Sequence, residues 1–250
     1  MAPRLEVIGI EGLPEVYPGD DLSKLIETAL RQQSLTPRSG DILAISQKVV
    51  SKAEGRIKRL ADVVPSTPAI SMARELGRDP HLIEVILQES RRIVRMDRGV
   101  LITETRHGLV CANAGVDQSN VEAGSVSLLP DEPDRSAERL RVEFRRLTGA
   151  DVGVIITDTF GRPWREGLIN VAIGVSGLLP LKSYLGEKDP AGHILQATLL
   201  ASADELAAAA ELVMGKLDRI PVALIRGYPP SSGSGTGQDL IRTPERDLFR

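Results

Sequence analysis

The chain has 250 residues, enough for one large domain or two small ones. Its formal net charge is −3 with both signs spread along it, which argues against a nucleic-acid surface and a polybasic membrane patch. Hydrophobic residues make up 42% but aromatics only 3%, so the core must be aliphatic. Cys111 is the only cysteine, which excludes an internal disulfide and a cysteine-built zinc site. No apolar signal segment follows Met1-Ala2-Pro3-Arg4, and no apolar run reaches membrane-spanning length, so a cytoplasmic protein of mixed α/β type is expected.

Leu5 to Ile10 reads as a first strand, and Gly12-Leu13-Pro14-Glu15 as a turn. Leu22, Leu25, Ile26, Ala29 and Leu30 recur at helical spacing behind an Asp N-cap. A second strand is expected over Ile42 to Ser46. Gln47 and two lysines, Lys48 and Lys52, follow it. Lysines at a strand exit can meet phosphate oxygens as mobile point charges; they are also common on a solvated helix face. There is no Gly-x-x-x-x-Gly-Lys-Ser/Thr pattern, so an ordinary P-loop is absent.

Pro68 suits the start of a helix running to Gly77. Asp79-Pro80 opens another, with Leu82, Ile83, Ile86 and Leu87 on its apolar side. Arg91, Arg92 and Arg95 are expected late in it, where cations suit the helix dipole. Val100 to Thr105 and Leu109 to Asn113 form a predicted hairpin around Arg106-His107-Gly108, with Cys111 as a small buried residue. The chain then leaves that strand through Ala114-Gly115-Val116-Asp117-Gln118-Ser119-Asn120. Asp117 and Asn120 offer a carboxylate and an amide, either as ligands for a hard cation and its phosphates or as an Asx-rich turn. Asp134 is the expected cap of a helix that Gly149 closes.

Val154-Ile155-Ile156 is a buried strand that ends abruptly in Thr157-Asp158-Thr159. Phe160-Gly161 is read as a turn, followed by Arg162, Trp164, Arg165 and Glu166. A carboxylate at the end of a buried strand is costly unless paired. The stretch fits a metal and phosphate site, or a turn closed by an Asp–Arg ion pair. Leu168 to Gly177 is a further strand. Ser202-Ala203-Asp204-Glu205 reads as a capping box for an alanine-rich helix ending at Met214-Gly215. Ile220 to Arg226 is the last strand. Pro229 to Gly237 is a flexible loop or a phosphate-covering lid.

Cys111 to Asn120 and Ile155 to Gly167 strongly resemble the coenzyme F420 gamma-glutamyl ligase family. So do Gly12 to Glu15, Val50-Ser51-Lys52-Ala53-Glu54-Gly55-Arg56 and Ala209 to Gly215, in matching order along essentially the whole chain. The resemblance implies a GTP-dependent ligase that joins L-glutamate to the deazaflavin precursor of coenzyme F420 and releases GDP and phosphate. It implies a homodimer with a two-lobed α+β fold, each chain a single catalytic unit. Magnesium or manganese would be used, with potassium as an additional cation. By position, Asp117 and Asp158 resemble the ligands of one metal, and Thr159 a ligand of a second. Leu13, Pro14, Glu15, Val16, Gln47, Lys52 and Asn120 match GTP-contacting positions. So does the segment Met214-Gly215-Lys216-Leu217-Asp218-Arg219-Ile220-Pro221. Relatives can carry an acidic or amide ligand for the second metal where this chain has Lys216, and a protonated lysine cannot ligate. The flavin-binding reductase-like domain of some relatives is not expected in a chain ending at Arg250.

Amide formation from a free carboxylate needs its oxygen turned into a leaving group, and phosphoryl transfer from GTP would give an acyl phosphate. Such transfer is catalysed mainly by positioning and charge neutralisation, for which Asp117, Asp158 and Lys52 are the candidates. Two rival readings use the same residues: a metal-dependent nucleotide phosphohydrolase, and a nucleotide-binding regulator without turnover.

Overall fold

The computed structural model describes residues 2–229 and 233–247, so the centre of the proposed Pro229–Gly237 lid lies outside the described residues. The architecture is mixed α/β, as the strand and helix periodicities predict. Strand β1 (Glu6–Gly9) leads to α1 (Leu22–Gln32), whose N-cap Asp21 accepts from the Lys24 backbone N–H. Strand β2 (Ile42–Ser46) runs directly into α2 (Gln47–Ala53). Then come β3 (Ile57–Arg59), α3 (Thr67–Leu76), α4 (Pro80–Glu89), β4 (Ser90–Asp97), β5 (Val100–Thr105), β6 (Val110–Ala112) and β7 (Ser125–Ser127). The chain continues through α5 (Pro133–Thr148), β8 (Gly153–Arg162) and β9 (Arg165–Ser176). It closes with β10 (Lys182–Ser183), β11 (Leu199–Leu200), α6 (Ser202–Met214) and β12 (Val222–Arg226).

The central sheet has the order β1-β12-β2-β8-β9, antiparallel throughout except for the parallel β2–β8 pair. Alternate residues of a strand face opposite sides, and both sides are covered. Leu43, Ile45, Val154, Ile156 and Leu224 pack with Ile26, Leu30 and Phe144 of α1 and α5. Ile42, Ala44, Ile155, Ala223 and Ile225 pack against Ala203, Leu206, Ala207 and Ala210 of α6. The alanines let α6 lie close to the sheet, which fits a core with few aromatics. A second core, built from Leu82, Ile83, Ile86, Leu101, Val116, Val126 and neighbours, joins α3 and α4 to the β3–β7 and β4-β5-β6 sheets.

The structure changes four sequence expectations. Helix α4 stops at Glu89, and Arg91, Arg92 and Arg95 lie on strand β4 rather than on its last turn. Arg91 and Arg92 instead pair with the buried Glu104 carboxylate on β5. Strand β8 does not turn at Phe160-Gly161. It runs on to Arg162, and the hairpin reverses at Pro163-Trp164, with Trp164 left-handed at φ 58°. Asp134 does not cap α5; its carboxylate accepts the backbone N–H groups of Val175 and Gly237. Asp204 likewise makes no capping box but accepts from the Ala172 N–H at 2.9 Å. Both acids thus satisfy backbone donors along β9, one of the two edge strands of the central sheet, which otherwise would be open to pairing with another strand.

Candidate active site at the carboxyl edge of the central sheet

Strands β1, β2 and β8 point their carboxyl ends the same way, and the segment entering β12 lies beside them. Ile10 N–H donates to Val222 O at 2.8 Å, and Ser46 N–H to Pro221 O at 2.8 Å. The chain therefore brings three sequence-distant segments to one edge: 13–16 after β1, 46–52 after β2, and 214–221 between α6 and β12. In open α/β sheets ligands bind beyond the carboxyl ends of strands.

Within this edge, Val16 is buried and Leu13 packs on the main core. Glu15 forms an ion pair with Lys52 on α2. Gln47 is buried, and its side-chain oxygen accepts from Ser51 Oγ at 2.8 Å, so it faces the helix rather than open solvent. Met214 is buried as the last residue of α6, while Leu217 is 91% exposed. Gly215 has φ 59°, and a Cβ there would lie 2.1 Å from the Asp218 carboxylate, which explains a glycine at this bend. Arg219 is also left-handed, at φ 58°. Asn120, left-handed at φ 55°, is exposed in the turn after Asp117.

The acids meet where the second core touches the sheet. Asp117 is fixed by reciprocal backbone bonds with Ser127, at 3.0 and 2.8 Å. Its carboxylate accepts from Lys48 Nζ at 2.8 Å, Ser119 N at 2.7 Å and Ser119 Oγ at 2.9 Å. Burial pushes its carboxyl up, but the Lys48 ammonium and the Ser119 donors outweigh that and hold it below the usual range. Asp158 lies on the face of β8 shared with Val154 and Ile156. Burial pushes its carboxyl up to about 7; the Asp117 charge adds to the rise, while the Thr159 backbone N–H, Lys48 and Lys216 oppose it. Cys111 lies nearby. Burial, then the Asp158 charge, push its thiol up to about 12, so it is no thiolate nucleophile at neutral pH.

Thr159 takes the opposite face of β8, toward α6. Its hydroxyl donates to Asn170 Oδ1 at 2.7 Å on β9, and Asn170 Nδ2 donates to Glu211 Oε2 at 2.8 Å. Lys216 Nζ donates to Thr159 Oγ1 and pairs with Glu211 Oε1 at 3.1 Å. Two polar clusters therefore flank one strand: Asp158, Asp117, Lys48 and Ser119 on one face, and Thr159, Asn170, Glu211 and Lys216 on the other. Thr157, also on the second face, has a buried hydroxyl without a hydrogen-bond partner.

Arg162 does not join the acids. It folds back on its own hairpin, donating to Glu166 O at 2.6 Å, and Arg165 sits opposite it across the tip. This removes the reading of a turn closed by an Asp–Arg ion pair for Arg162. Three contributors were not singled out from sequence, Ser119, Asn170 and Glu211, while Lys48 was read as a phosphate contact and not as a partner of Asp117. Asn170 carried a signal, being the one amide in the apolar run 168–177. Glu211 carried a similar signal, being the one charge in the apolar run 206–214.

A family profile described as F420-0:gamma-glutamyl ligase matches residues 11–227. The chain belongs to this F420-0:gamma-glutamyl ligase family. It is 47% identical over 249 residues to the coenzyme F420:L-glutamate ligase of Methanothermobacter thermautotrophicus, covering 98% of this chain and 99% of that one. It is 46% identical over 248 residues to the enzyme of the same name from Methanocaldococcus jannaschii, covering 99% of this chain and 97% of that one. For the Methanopyrus kandleri protein of that name the figures are 48% over 252 residues, with 99% and 97% covered. The likeness covers both the central sheet and the second core, and so every segment of the candidate site. Among the described residues no helix is long and apolar enough to cross a membrane.

Among the described residues no group of three or more His, Cys, Asp or Glu could hold a metal. The Asp117 carboxylate and Ser119 hydroxyl on the Lys48 ammonium, with the Asp158 carboxylate within reach of both charges, nevertheless fit a hard divalent ion. Magnesium commonly takes one or two carboxylates and completes its shell with water and phosphate oxygens. The Thr159 cluster fits an ammonium, which Lys216 supplies.

Proposed function

We propose that this protein is a GTP-dependent ligase that joins L-glutamate to F420-0 through a gamma-glutamyl amide bond. The glutamate and F420-0 part follows from family membership at 43–48% identity to coenzyme F420:L-glutamate ligases along the whole chain. GTP and the divalent ion are the finer proposal. The observation that supports them best is the Asp117 carboxylate held on Lys48, within electrostatic reach of Asp158, beside the segments 13–16, 46–52 and 214–221.

In this reading Asp117 and Asp158 would hold magnesium or manganese, which would neutralise phosphate charge during transfer. Lys48 and Lys52 hold the remaining phosphate oxygens as point charges. The acceptor's carboxylate attacks the terminal phosphorus of GTP and GDP leaves, giving an acyl phosphate. The amine of glutamate then attacks the acyl carbon and expels phosphate, losing one proton. No protein nucleophile is required, in keeping with a Cys111 thiol that stays protonated. The segments 13–16 and 214–221 would enclose the nucleotide. A homodimer, and potassium as an auxiliary cation, are further parts of the proposal.

The test is mass spectrometry of the deazaflavin after incubation with GTP, glutamate and magnesium. One added glutamyl mass with stoichiometric GDP supports the reading. GDP release that needs neither glutamate nor the deazaflavin would favour a phosphohydrolase instead.

A further inference from the structure

We propose that Lys48 is an exchangeable counter-ion. Its ammonium neutralises the Asp117 carboxylate when no divalent ion is present, and swings to the nucleotide's phosphates when one enters. This rests on the metal reading given above.

Four observations carry it. Lys48 Nζ lies 2.8 Å from Asp117 Oδ2 and 2.6 Å from Ser119 Oγ, and its charge reaches Asp158. It therefore holds the Asp117 oxygen and the Ser119 hydroxyl that a divalent ion on Asp117 would need. The Lys48 side chain is only 17% exposed against 43% for Asp117, so the ammonium is drawn into the site and is not a loose surface pair. Its backbone is fixed at the first turn of α2, with Lys48 N–H donating to Ser46 Oγ and Ser46 N–H to Pro221 O. The flexible four-carbon stem is thus the only part free to move. Finally, the first turn of a helix disfavours a cation, so α2 gains nothing locally from lysine there; the partner acid is the reason for it.

Charge balance favours the exchange. One ammonium balances one carboxylate, whereas a divalent ion balances Asp117 and Asp158 together in their ionised forms. Entry of the ion therefore frees one positive charge beside the phosphates that arrive with it. An ammonium suits this task because it is a compact point charge without the fixed fork of a guanidinium.

The test measures Mn2+ binding by electron paramagnetic resonance, without nucleotide, for the parent, Lys48→Met, Lys48→Arg and Asp117→Asn. Removing the competitor should tighten Mn2+ binding on the order of tenfold or more in Lys48→Met, since charged hydrogen bonds of this kind are that strong. Lys48→Arg should stay near the parent. Affinity for a slowly hydrolysed GTP analogue with Mn2+ should fall in Lys48→Met, opposite in sign to the bare-ion effect. If Asp117→Asn abolishes Mn2+ binding while Lys48→Met binds no tighter than the parent, the exchange idea fails and the metal reading stands. If Asp117→Asn binds Mn2+ like the parent, the metal reading itself fails. Should Lys48→Met not fold, the parent decides by nitrogen-15 resonance of its lysine ammonium groups. A protected Lys48 signal that survives saturating Mg2+ would overturn the proposal; its loss would support it.

Discussion

Replacing Asp158 by Asn should stabilise the ion-free protein at alkaline pH and do nothing at acid pH. Burial, with the Asp117 charge added, raises the Asp158 carboxyl from 3.8 to about 7 in the folded chain. The folded state therefore binds this proton more tightly than the unfolded state does. Its contribution is fully present below the unfolded value and is lost as pH climbs through the window from 3.8 to about 7. Roughly three pH units at about 1.36 kcal/mol each bound the effect at about 4 kcal/mol. Asparagine keeps the size and removes the charge, so at pH 8 the variant should melt several degrees above the parent, at roughly 2–4 °C per kcal/mol for a chain this long. At pH 5 the unfolded parent is still ionised, so about 1.6 kcal/mol of the difference should remain, and it should vanish only below the unfolded value of 3.8. Excess Mg2+ with GTP should reverse the order, because a ligand that binds only the native parent raises the parent's stability. Turnover should be lost in the variant. The assay is a set of melting curves from pH 5 to 8, with chelator and with Mg2+ plus GTP. A variant that differs from the parent equally at every pH would refute the reasoning, as would one that keeps the parent's Mg2+-dependent shift.

Lys52→Ala should weaken GTP binding by roughly 1.5–3 kcal/mol through loss of a charged hydrogen bond, with the melting temperature nearly unchanged; calorimetric titration with GTP measures this. Lys216→Glu should raise the number of divalent ions bound per chain, since an acid would replace the ammonium that now holds Thr159 and Glu211; identical metal titrations for variant and parent would count against it. Arg226→Ala should destabilise the fold by roughly 3–5 kcal/mol, because the Asp41 carboxylate it pairs with at 2.6 Å is 4% exposed and would be left as an unpaired buried charge. Urea unfolding at neutral pH reads this directly.

The elements that were legible from sequence carry their own local signals. Asp21 caps α1, Pro68 opens α3, Gly77 and Gly149 end helices in left-handed conformations, and β2 spans Ile42–Ser46 as its apolar run suggests. The errors share a different cause. Arg91, Arg92 and Arg95 follow a helical pattern without an intervening glycine or proline, and they become a strand because β5 offers pairing and Glu104 offers a charge partner. Asp134 and Asp204 sit where caps usually do, yet distant backbone N–H groups claim them. In each case a long-range partner overrides a local preference. Within the site, both acids were visible as carboxylates following apolar strands. What sequence could not supply was which side of β8 each polar residue takes together with its partners, and hence that Lys48 serves Asp117 while Lys216 serves Thr159.

That division gives the strand a parity. Odd positions 155, 157 and 159 look toward α6, and even positions 154, 156 and 158 toward α1 and α5. Inserting or deleting one residue between Gly153 and Thr159 would turn the carboxylate into an alanine-lined core and carry the hydroxyl across to Asp117. Only changes by two preserve the chemistry, and those would break the parallel register with β2. Past Thr159 the rule relaxes, since the β8–β9 tip projects with Trp164 80% and Leu168 68% exposed. Length variation in this part of the chain should therefore collect in the tip, while the seven residues that lead to the hydroxyl keep a fixed count for as long as the reaction is kept.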